Sequence, residues 1–494
     1  MHQKRKYHSL HPLLVILATL LILILIMGLS RLFSKSKTKK SILIANSENV
    51  SETNDADLKN PLSAKEYPNP SADLAESGDS KGDSIQASIL AAQEKDQAAQ
   101  EKIAEAEGVS KIELGDIERL SQMYAYDEAL ELLEKYPEKD SEEAIALKAE
   151  IESAQSKCVQ KNPAETMHIF FHSLIYDTSK AFDGDHKVDG YNQFMTTCLE
   201  FDRILEELYQ RDFVLISMHD LAKWETDENG NQVMVPGEIY LPENKKLLIL
   251  SVDDVNYYEY MEEDGFANRI VLDQDGNATC SMVNDQGMTI LGDYDVVPIL
   301  DKFVDQHPDF SYQGAKGILA FTGYEGVLGY RTDERYKEEN PNYEQDIIQA
   351  TEVAQVLRDT GWEFASHSWG HINLKAVALE DFQKDADLWE KNVVPIIGET
   401  DIMIYPFGFD IVDGMADYTH DNPRFTYLKQ KGFDYFCTVD GSKHYTTHIN
   451  TDHVRQGRRN LDGYRLYHNP ELVDDLIVAE DVLDEARPLP VPPL

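Results

Sequence analysis

The chain has 494 residues, of which 42% are hydrophobic and 10% aromatic, which allows a large buried core and excludes a wholly disordered protein. The formal net charge of −43 opposes binding to phosphate backbones and excludes nucleic acid as a partner. The four cysteines are scattered without a CxxC pair, which excludes a disulfide scaffold and a zinc–cysteine site.

An almost unbroken apolar run from Leu13 to Leu29 predicts one membrane-spanning helix within residues 1–33. A cleaved signal peptide is the alternative, but the run is long for one and no small-x-small cleavage site follows it. Lys and Arg flank both sides, so the positive-inside rule does not fix the orientation. We expect a single-pass protein of the cell membrane, and the chemistry argued below places its catalytic domain outside the cytoplasm.

Two segments of different composition follow the predicted anchor. Residues 34–85 are polar, rich in Ser, Asn, Asp, Lys and Pro, and predict a disordered linker. Residues 86–160 carry apolar residues at helical spacing and predict a helical stalk, which resembles one tetratricopeptide-like helix pair broken at Tyr136-Pro137. No second copy follows, so we expect a stalk or packing element, with contact to another protein or self-association as the sharper alternative.

Apolar strand patterns alternate with helical ones from about residue 161 to 475. This alternation predicts an α/β fold with a parallel sheet, in which chemistry lies at the carboxyl ends of the strands. Residues 256–312 break the alternation and predict an insertion over the mouth of the sheet, and residues 476–494 form a C-terminal tail. The predicted strands are residues 167–175, 213–218, 246–254, 317–323, 362–368, 401–408 and 433–439.

Polar side chains follow two of these strands. Asp253 and Asp254 end the run LLILSVDD, where a turn of the chain can bring both carboxylates to one pocket. His367 and His371 follow WEFAS at the i, i+4 spacing that puts two imidazoles on one face of a helical turn. One carboxylate and two imidazoles can bind a metal ion, although acids at a loop start or two unrelated histidines are the ordinary alternatives.

Three segments in order resemble the motifs of the polysaccharide deacetylases (carbohydrate esterase family 4, the NodB-homology domain). They are LLILSVDDV, SHSWGH and MIYPFG, which are similar to the family's strand followed by T-F-D-D-G, its H-[ST]-x-x-H and its P-[YF]-G. Val255 replaces the glycine of the first motif, and the third motif is of a YPFG type without the usual arginine. The resemblance covers about residues 165–470 and implies a distorted (β/α)7 barrel of the NodB type.

The resemblance also implies a role for each matching residue. Asp254, His367 and His371 would bind one divalent metal ion, with Zn²⁺ favoured and Co²⁺, Ni²⁺ or Mn²⁺ as alternatives. Asp253 would be the general base, and the backbone N–H of Phe407 would stabilise the oxyanion. The residues expected at the substrate are Tyr405, Pro406, Gly408 and Trp369.

Two assignments stay open. The residue that orients Asp253 is one of three candidates, Arg455, Arg458 and Arg459. The family's last motif supplies a histidine as general acid, and RLYH offers a weak match through His468, with a structural or surface histidine as the alternative.

The expected function is therefore a metal-dependent hydrolase that removes acetyl groups from a cell-envelope or extracellular polysaccharide. The expected location favours an amino sugar of peptidoglycan as substrate. The alternative is a catalytically impaired glycan-binding or scaffold protein on the cell surface, and a metallohydrolase of another amide bond is a more remote one.

Overall fold

Residues 112–414 and 416–494 are described by the structure, which is a computed structural model. The predicted membrane anchor (1–33), the predicted linker (34–85) and the first part of the predicted helical stalk lie outside the described residues. Within the two described ranges, no helix has both the length and the apolar composition needed to cross a bilayer.

Seven parallel strands form a closed barrel in which each strand pairs with the next one along the chain. The ring closes where Arg459 of the last strand pairs with Ile169 of the first. The closed parallel barrel agrees with the fold that the sequence predicts. The strands are β1 (Met167–Phe171), β2 (Lys246–Val252), β3 (Ile318–Phe321), β4 (Glu363–Ser366), β5 (Ile402–Ile404), β6 (Tyr435–Val439) and β7 (Val454–Asn460).

Alternate residues of the barrel strands point to opposite faces. Leu247 and Ile249 of β2 share a buried cluster with Cys437 of β6, which is the barrel interior. Leu248 and Leu250 belong to a second cluster that contains the surrounding helices. The runs of apolar residues that identified these strands are therefore buried on both faces, as is usual for parallel sheets.

Helices surround the barrel and cover one of its ends. Short strands lie outside the ring: Phe213–Leu215 pairs with β2, and Thr447–Ile449 pairs with β7. Two antiparallel pairs are Cys158–Lys161 with Ile239–Pro242, and the hairpin of Ala222–Thr226 with Gln232–Pro236. The helices are Leu114–Gln122, Tyr126–Lys135, Glu142–Gln155, Thr178–Ala181, Val188–Phe194, Cys198–Gln210, Val296–Gln306, Tyr343–Asp359, Leu379–Asn392, Val394–Ile397, Pro423–Gln430, Gly463–His468 and Ala479–Val482.

The predicted helical stalk packs on the barrel in the part that the structure describes. Ile117, Ala129 and Ile151 are fully buried in the same cluster as Leu247 of β2. Since Leu247 lies at the amino-terminal end of its strand, we infer that these helices cover the end of the barrel opposite to the polar strand ends. The described part of this segment is thus a packing element.

The predicted insertion at residues 256–312 contains its own small sheet. Its antiparallel strands are Arg269–Leu272, Ala278–Val283 and Thr289–Gly292, and the first two are joined by a turn at Asp275-Gly276. Gly276 has a φ of +83°, which explains the glycine at this turn. The helix Val296–Gln306 then leads the chain back to the barrel.

Two strands differ from the prediction. The predicted strand at 213–218 is only three residues long and lies beside β2, outside the ring. The seventh barrel strand, β7, was not predicted because its sequence, VRQGRRN, is polar. That polarity has a structural reason, since β7 carries two polar side chains, Gln456 and Arg458, into the barrel, as described below.

The predicted C-terminal tail at 476–494 folds back onto the barrel domain. Arg487 and Glu200, both fully buried, form an ion pair 2.5 Å long between the tail and the helix Cys198–Gln210. The tail is therefore part of the domain's core.

Candidate metal centre

Three side chains meet at the carboxyl ends of β2 and β4. Asp254, His367 and His371 each offer one ligand atom, and these atoms all lie within 4.8 Å of one another. The His371 Nε2 atom is 3.8 Å from the Asp254 Oδ2 atom. The structure thus brings together the three residues for which the sequence predicts metal binding.

The loops that carry these residues contain left-handed backbone at non-glycine positions. The φ angles are +59° at Asp254, +58° at Ser368, +49° at His371 and +58° at Phe407. Each such residue costs about 1–3 kcal/mol and persists only where its surroundings fix it, most often at functional sites. The predicted helical turn from His367 to His371 is wrong, because Ser368 and His371 fold this segment as an irregular loop.

The carboxylate of Asp385 holds the loop between the two histidines. Its Oδ2 accepts a hydrogen bond of 2.9 Å from the Trp369 amide, and its Oδ1 accepts one of 2.7 Å from the Gly370 amide. Asp385 lies on the helix Leu379–Asn392 and is only 5% exposed. A rigid helix therefore positions the left-handed loop.

The remaining polar atoms of two of these ligands already have hydrogen-bond partners. The His367 Nδ1 atom donates to the Ile404 carbonyl at 2.8 Å, so its Nε2 atom can bind a cation. The Tyr258 hydroxyl donates to Asp254 Oδ1 at 2.6 Å and leaves Oδ2 directed toward His371. Two imidazoles and one carboxylate, oriented in this way, fit Zn²⁺ and related divalent ions.

Burial and charge set the protonation of the cluster. Burial raises the pKa of Asp253, but the charges of Arg458 and His367 outweigh it and hold this pKa below its usual range. Burial likewise raises the pKa of Asp254, and His371 and His367 outweigh it. Burial lowers the pKa of His371 to about 4, against the opposing effect of Asp254. At neutral pH these are the ionised acids and neutral imidazole that a metal site requires.

Asp253 is paired with one of the three candidate arginines. Arg458 Nη1 donates to Oδ1 at 2.7 Å and Nη2 donates to Oδ2 at 2.9 Å. Arg455 instead pairs with Asp410, and Arg459 pairs with Asp475. The bidentate partner of Asp253 therefore comes from β7, whose carboxyl end lies beside that of β1.

The third predicted motif contributes the Phe407 turn next to the histidines. The ring of Phe407 packs edge-on against the ring of His371, with centroids 4.4 Å apart. Tyr405 is fully buried and bonds the Tyr418 hydroxyl at 2.9 Å, and Pro406 is also buried. Both side chains are buried beneath the Phe407 turn, and their contact with a substrate stays a prediction.

His468 is not part of this cluster. It ends the helix Gly463–His468, and its Nε2 atom bonds the Val491 carbonyl of the C-terminal tail at 2.8 Å. Its ring contacts within the described residues are with Tyr464 and Tyr467. The strand that the match of RLYH implied is therefore wrong, because RLYH forms a helix against the tail, and the role of His468 as general acid stays a prediction.

The other two residues expected at the substrate are partly exposed. The Trp369 indole donates to Asp333 Oδ2 at 3.1 Å and packs against the guanidinium of Arg335. Gly408 follows Phe407 with a φ of +71°. Their contact with substrate stays a prediction.

His172 is a residue of the site that the sequence reasoning missed. It directly follows β1, is partly exposed, and lies close enough to Asp253, Asp254 and His371 to influence the pKa of each. The signal was the same as for the other site residues, a polar side chain after a buried strand. It was overlooked because the predicted strand extended through residue 175, whereas β1 ends at Phe171.

Two solved structures are similar to this chain. One is the Streptococcus pyogenes deacetylase PplD in complex with acetate, with 11% identity and a TM-score of 0.32, over 65% of this chain and 99% of that one. The other is BA0330 of Bacillus anthracis, assigned as a polysaccharide deacetylase, with 12% identity and a TM-score of 0.31, over 61% of this chain and 65% of that one. No family model and no curated protein matches the chain. Sequence identities and TM-scores this low do not support a conclusion about function, which has to be inferred from the site.

Proposed function

We propose that the chain is a metal-dependent hydrolase that removes acetyl groups from a polysaccharide. The observation that carries this proposal is the convergence of three motif-bearing loops at one end of a closed barrel. There the ligand atoms of Asp254, His367 and His371 lie within 4.8 Å of one another, beside an ionised Asp253. Each motif alone is of modest specificity, whereas their convergence in one site is not expected by chance.

The metal ion, Zn²⁺ or a related divalent cation, would supply a Lewis acid that polarises the acetyl carbonyl and acidifies a water molecule. Asp254, His367 and His371 would hold this ion, and Asp253 would remain unligated. Because Arg458 occupies one side of both Asp253 oxygen atoms, the carboxylate keeps a fixed orientation and still has lone pairs to accept the proton of the attacking water.

Two further groups complete the reaction. His172, in place of His468, would donate a proton to the leaving nitrogen or oxygen of the sugar, because it is partly exposed and lies close enough to Asp253 and Asp254 to lower the pKa of both. The backbone N–H of Phe407, on its left-handed turn, would stabilise the developing oxyanion.

The substrate and the location rest on the sequence. The predicted anchor and linker would tether the domain outside the cytoplasm, within reach of the cell's own wall. An acetylated amino sugar of peptidoglycan is therefore the substrate that we propose, with the acetyl group on nitrogen or oxygen.

Acetate release from a panel of acetylated glycans, including peptidoglycan and chitooligosaccharides, tests this function. We expect release that stops on addition of a chelator, resumes on addition of Zn²⁺, and is lost in Asp253→Asn. Binding of a glycan without any release of acetate would instead support the non-catalytic, glycan-binding alternative.

A further inference from the structure

A network of hydrogen-bonded polar side chains crosses the barrel interior beneath Asp253. His168 of β1, Ser251 of β2 and Gln456 and Arg458 of β7 are each at most 1% exposed. These strands are neighbours in the ring, and the four side chains lie among the apolar residues of the barrel interior. Polar groups at this depth are costly unless they are hydrogen-bonded.

The hydrogen bonds of this network run without a break from Asp253 to Thr447. Arg458 Nη1, which also binds Asp253, donates to Ser251 Oγ at 3.0 Å. Ser251 Oγ lies 2.9 Å from His168 Nε2, and His168 Nδ1 lies 2.8 Å from Gln456 Oε1. Gln456 Nε2 then donates to Thr447 Oγ1 at 2.9 Å.

The Thr447 end of this hydrogen-bond network fixes the direction in which the protons point. At the other end, a guanidinium can only donate, so Ser251 accepts from Arg458 and keeps its own proton available for His168 Nε2. At the far end, the Thr447 hydroxyl donates to the Thr166 carbonyl and accepts from the Gln456 amide, which turns the Gln456 oxygen toward His168. His168 must therefore carry its proton on Nδ1 and accept at Nε2.

We propose that His168, as the neutral Nδ1–H tautomer, is a positioning residue that orients Arg458 through Ser251. Through Arg458 it fixes the carboxylate of Asp253, a last link that rests on the proposed function. The burial of His168 and the nearby charge of Arg458, which lower the pKa of this histidine to about 3, agree with a neutral ring. A proton on Nε2 in place of Nδ1 would leave two acceptors, His168 Nδ1 and Gln456 Oε1, facing each other at 2.8 Å.

Nitrogen-15 NMR of the histidine rings in the full chain tests the tautomer without any turnover. The resonance of His168 would be assigned by its loss in His168→Asn. We expect a protonated Nδ1, an unprotonated Nε2, and no titration between about pH 5 and pH 8, where an ordinary histidine titrates. A protonated Nε2 atom, or a ring that titrates in this range, would overturn the proposal.

Steady-state kinetics and metal titration test the link to Asp253. We expect Ser251→Ala to lower kcat by about tenfold to a hundredfold, since a misplacement of about 1 Å can cost a hundredfold. KM and metal affinity should not change, and Ser251→Thr, which keeps the hydroxyl, should recover most of the rate. Cys437→Ala, in the barrel interior but outside the hydrogen-bond network, controls for loss of packing and should keep the wild-type kcat.

The outcomes separate this proposal from the proposed function. A wild-type kcat in Ser251→Ala, or an equal loss in Cys437→Ala, would overturn the positioning role. A wild-type chain that releases no acetate would overturn the proposed function together with the link to Asp253, and the tautomer measurement would still decide whether His168 orients Arg458.

Discussion

At the scale of single residues, the site is defined by which atoms are already hydrogen-bonded. Asp253 and Asp254 are adjacent in sequence but differ in their partners. Arg458 donates to both oxygen atoms of Asp253, whereas Tyr258 donates to only one oxygen atom of Asp254. This difference separates the proposed proton acceptor, Asp253, from the proposed metal ligand, Asp254. It is visible only in the structure, since Tyr258 and Arg458 come from an insertion and from a distant strand.

Substitution of Tyr258 by Phe should weaken metal binding about 10- to 100-fold, because partners of metal ligands commonly contribute that much to affinity. The measurement is an equilibrium titration of the full chain with Zn²⁺ or Co²⁺. Tyr260→Phe is the matched control, since Tyr260 stacks on Tyr258 without a hydrogen bond to Asp254 among the described contacts. Equal affinities in wild type and Tyr258→Phe would contradict this role.

Substitution of His172 and of His468 should have different effects on kcat if His172 is the general acid. His172→Ala should lower kcat by about 10²- to 10⁴-fold, which is the usual contribution of a positioned acid, and His468→Ala should leave kcat within a factor of about two. Acetate release by the two variants measures this directly. A large loss in His468→Ala with an unaffected His172→Ala would reverse the assignment.

At the scale of elements, the sequence predicted the strands that are apolar and missed the one that is not. Six barrel strands follow from apolar runs such as LLILSV, and the motif residues at their ends follow from the family resemblance. β7 could not be found in this way, because Gln456 and Arg458 turn polar groups into the barrel. The left-handed loop between the histidines was also beyond reach, since it depends on Asp385, a residue on a distant helix.

The pH dependence of stability should report the burial of Asp385. Burial raises its pKa to about 6, although the amides of Trp369 and Gly370 oppose this, and the pKa in the unfolded chain is about 4. A carboxyl whose folded pKa is raised contributes fully below about pH 4, and this contribution is lost as the pH rises through 6. A shift of about two pKa units corresponds to a loss on the order of 3 kcal/mol.

Urea unfolding of wild type and Asp385→Asn at several pH values isolates this effect. The variant loses one hydrogen-bond acceptor, a cost that does not depend on pH. We expect the free energy of unfolding of wild type to fall relative to the variant between about pH 4 and pH 7. A difference that is constant over this range would show that Asp385 does not titrate there.

At the scale of the whole molecule, two buried clusters on the two faces of the barrel strands reach from the first described helices to the C-terminal tail. The barrel interior shares its cluster with Ile117, Ala129 and Ile151, and the tail is held by the buried pair of Arg487 and Glu200. Domain boundaries drawn from composition therefore do not mark independent folding units here. We expect the described region to unfold as a unit.

Two isoleucines of the helix Glu142–Gln155 test whether this helix and the barrel unfold together. Ile151 is fully buried, so Ile151→Ala should lower the free energy of unfolding by about 2–5 kcal/mol and leave one cooperative transition. Ile145 is 58% exposed on the same helix, so Ile145→Ala should change this free energy by no more than about 0.5 kcal/mol. A separate early transition in Ile151→Ala, with the barrel unchanged, would mean that the helices fold independently.

The metal content of the purified full chain tests the central claim most directly, by elemental analysis after dialysis against buffered Zn²⁺. The structure predicts one ion per chain, which is lost in Asp254→Ala, His367→Ala and His371→Ala and retained in Asp253→Asn. A wild-type chain without a bound ion, or an ion that survives the loss of His371, would contradict the site described above.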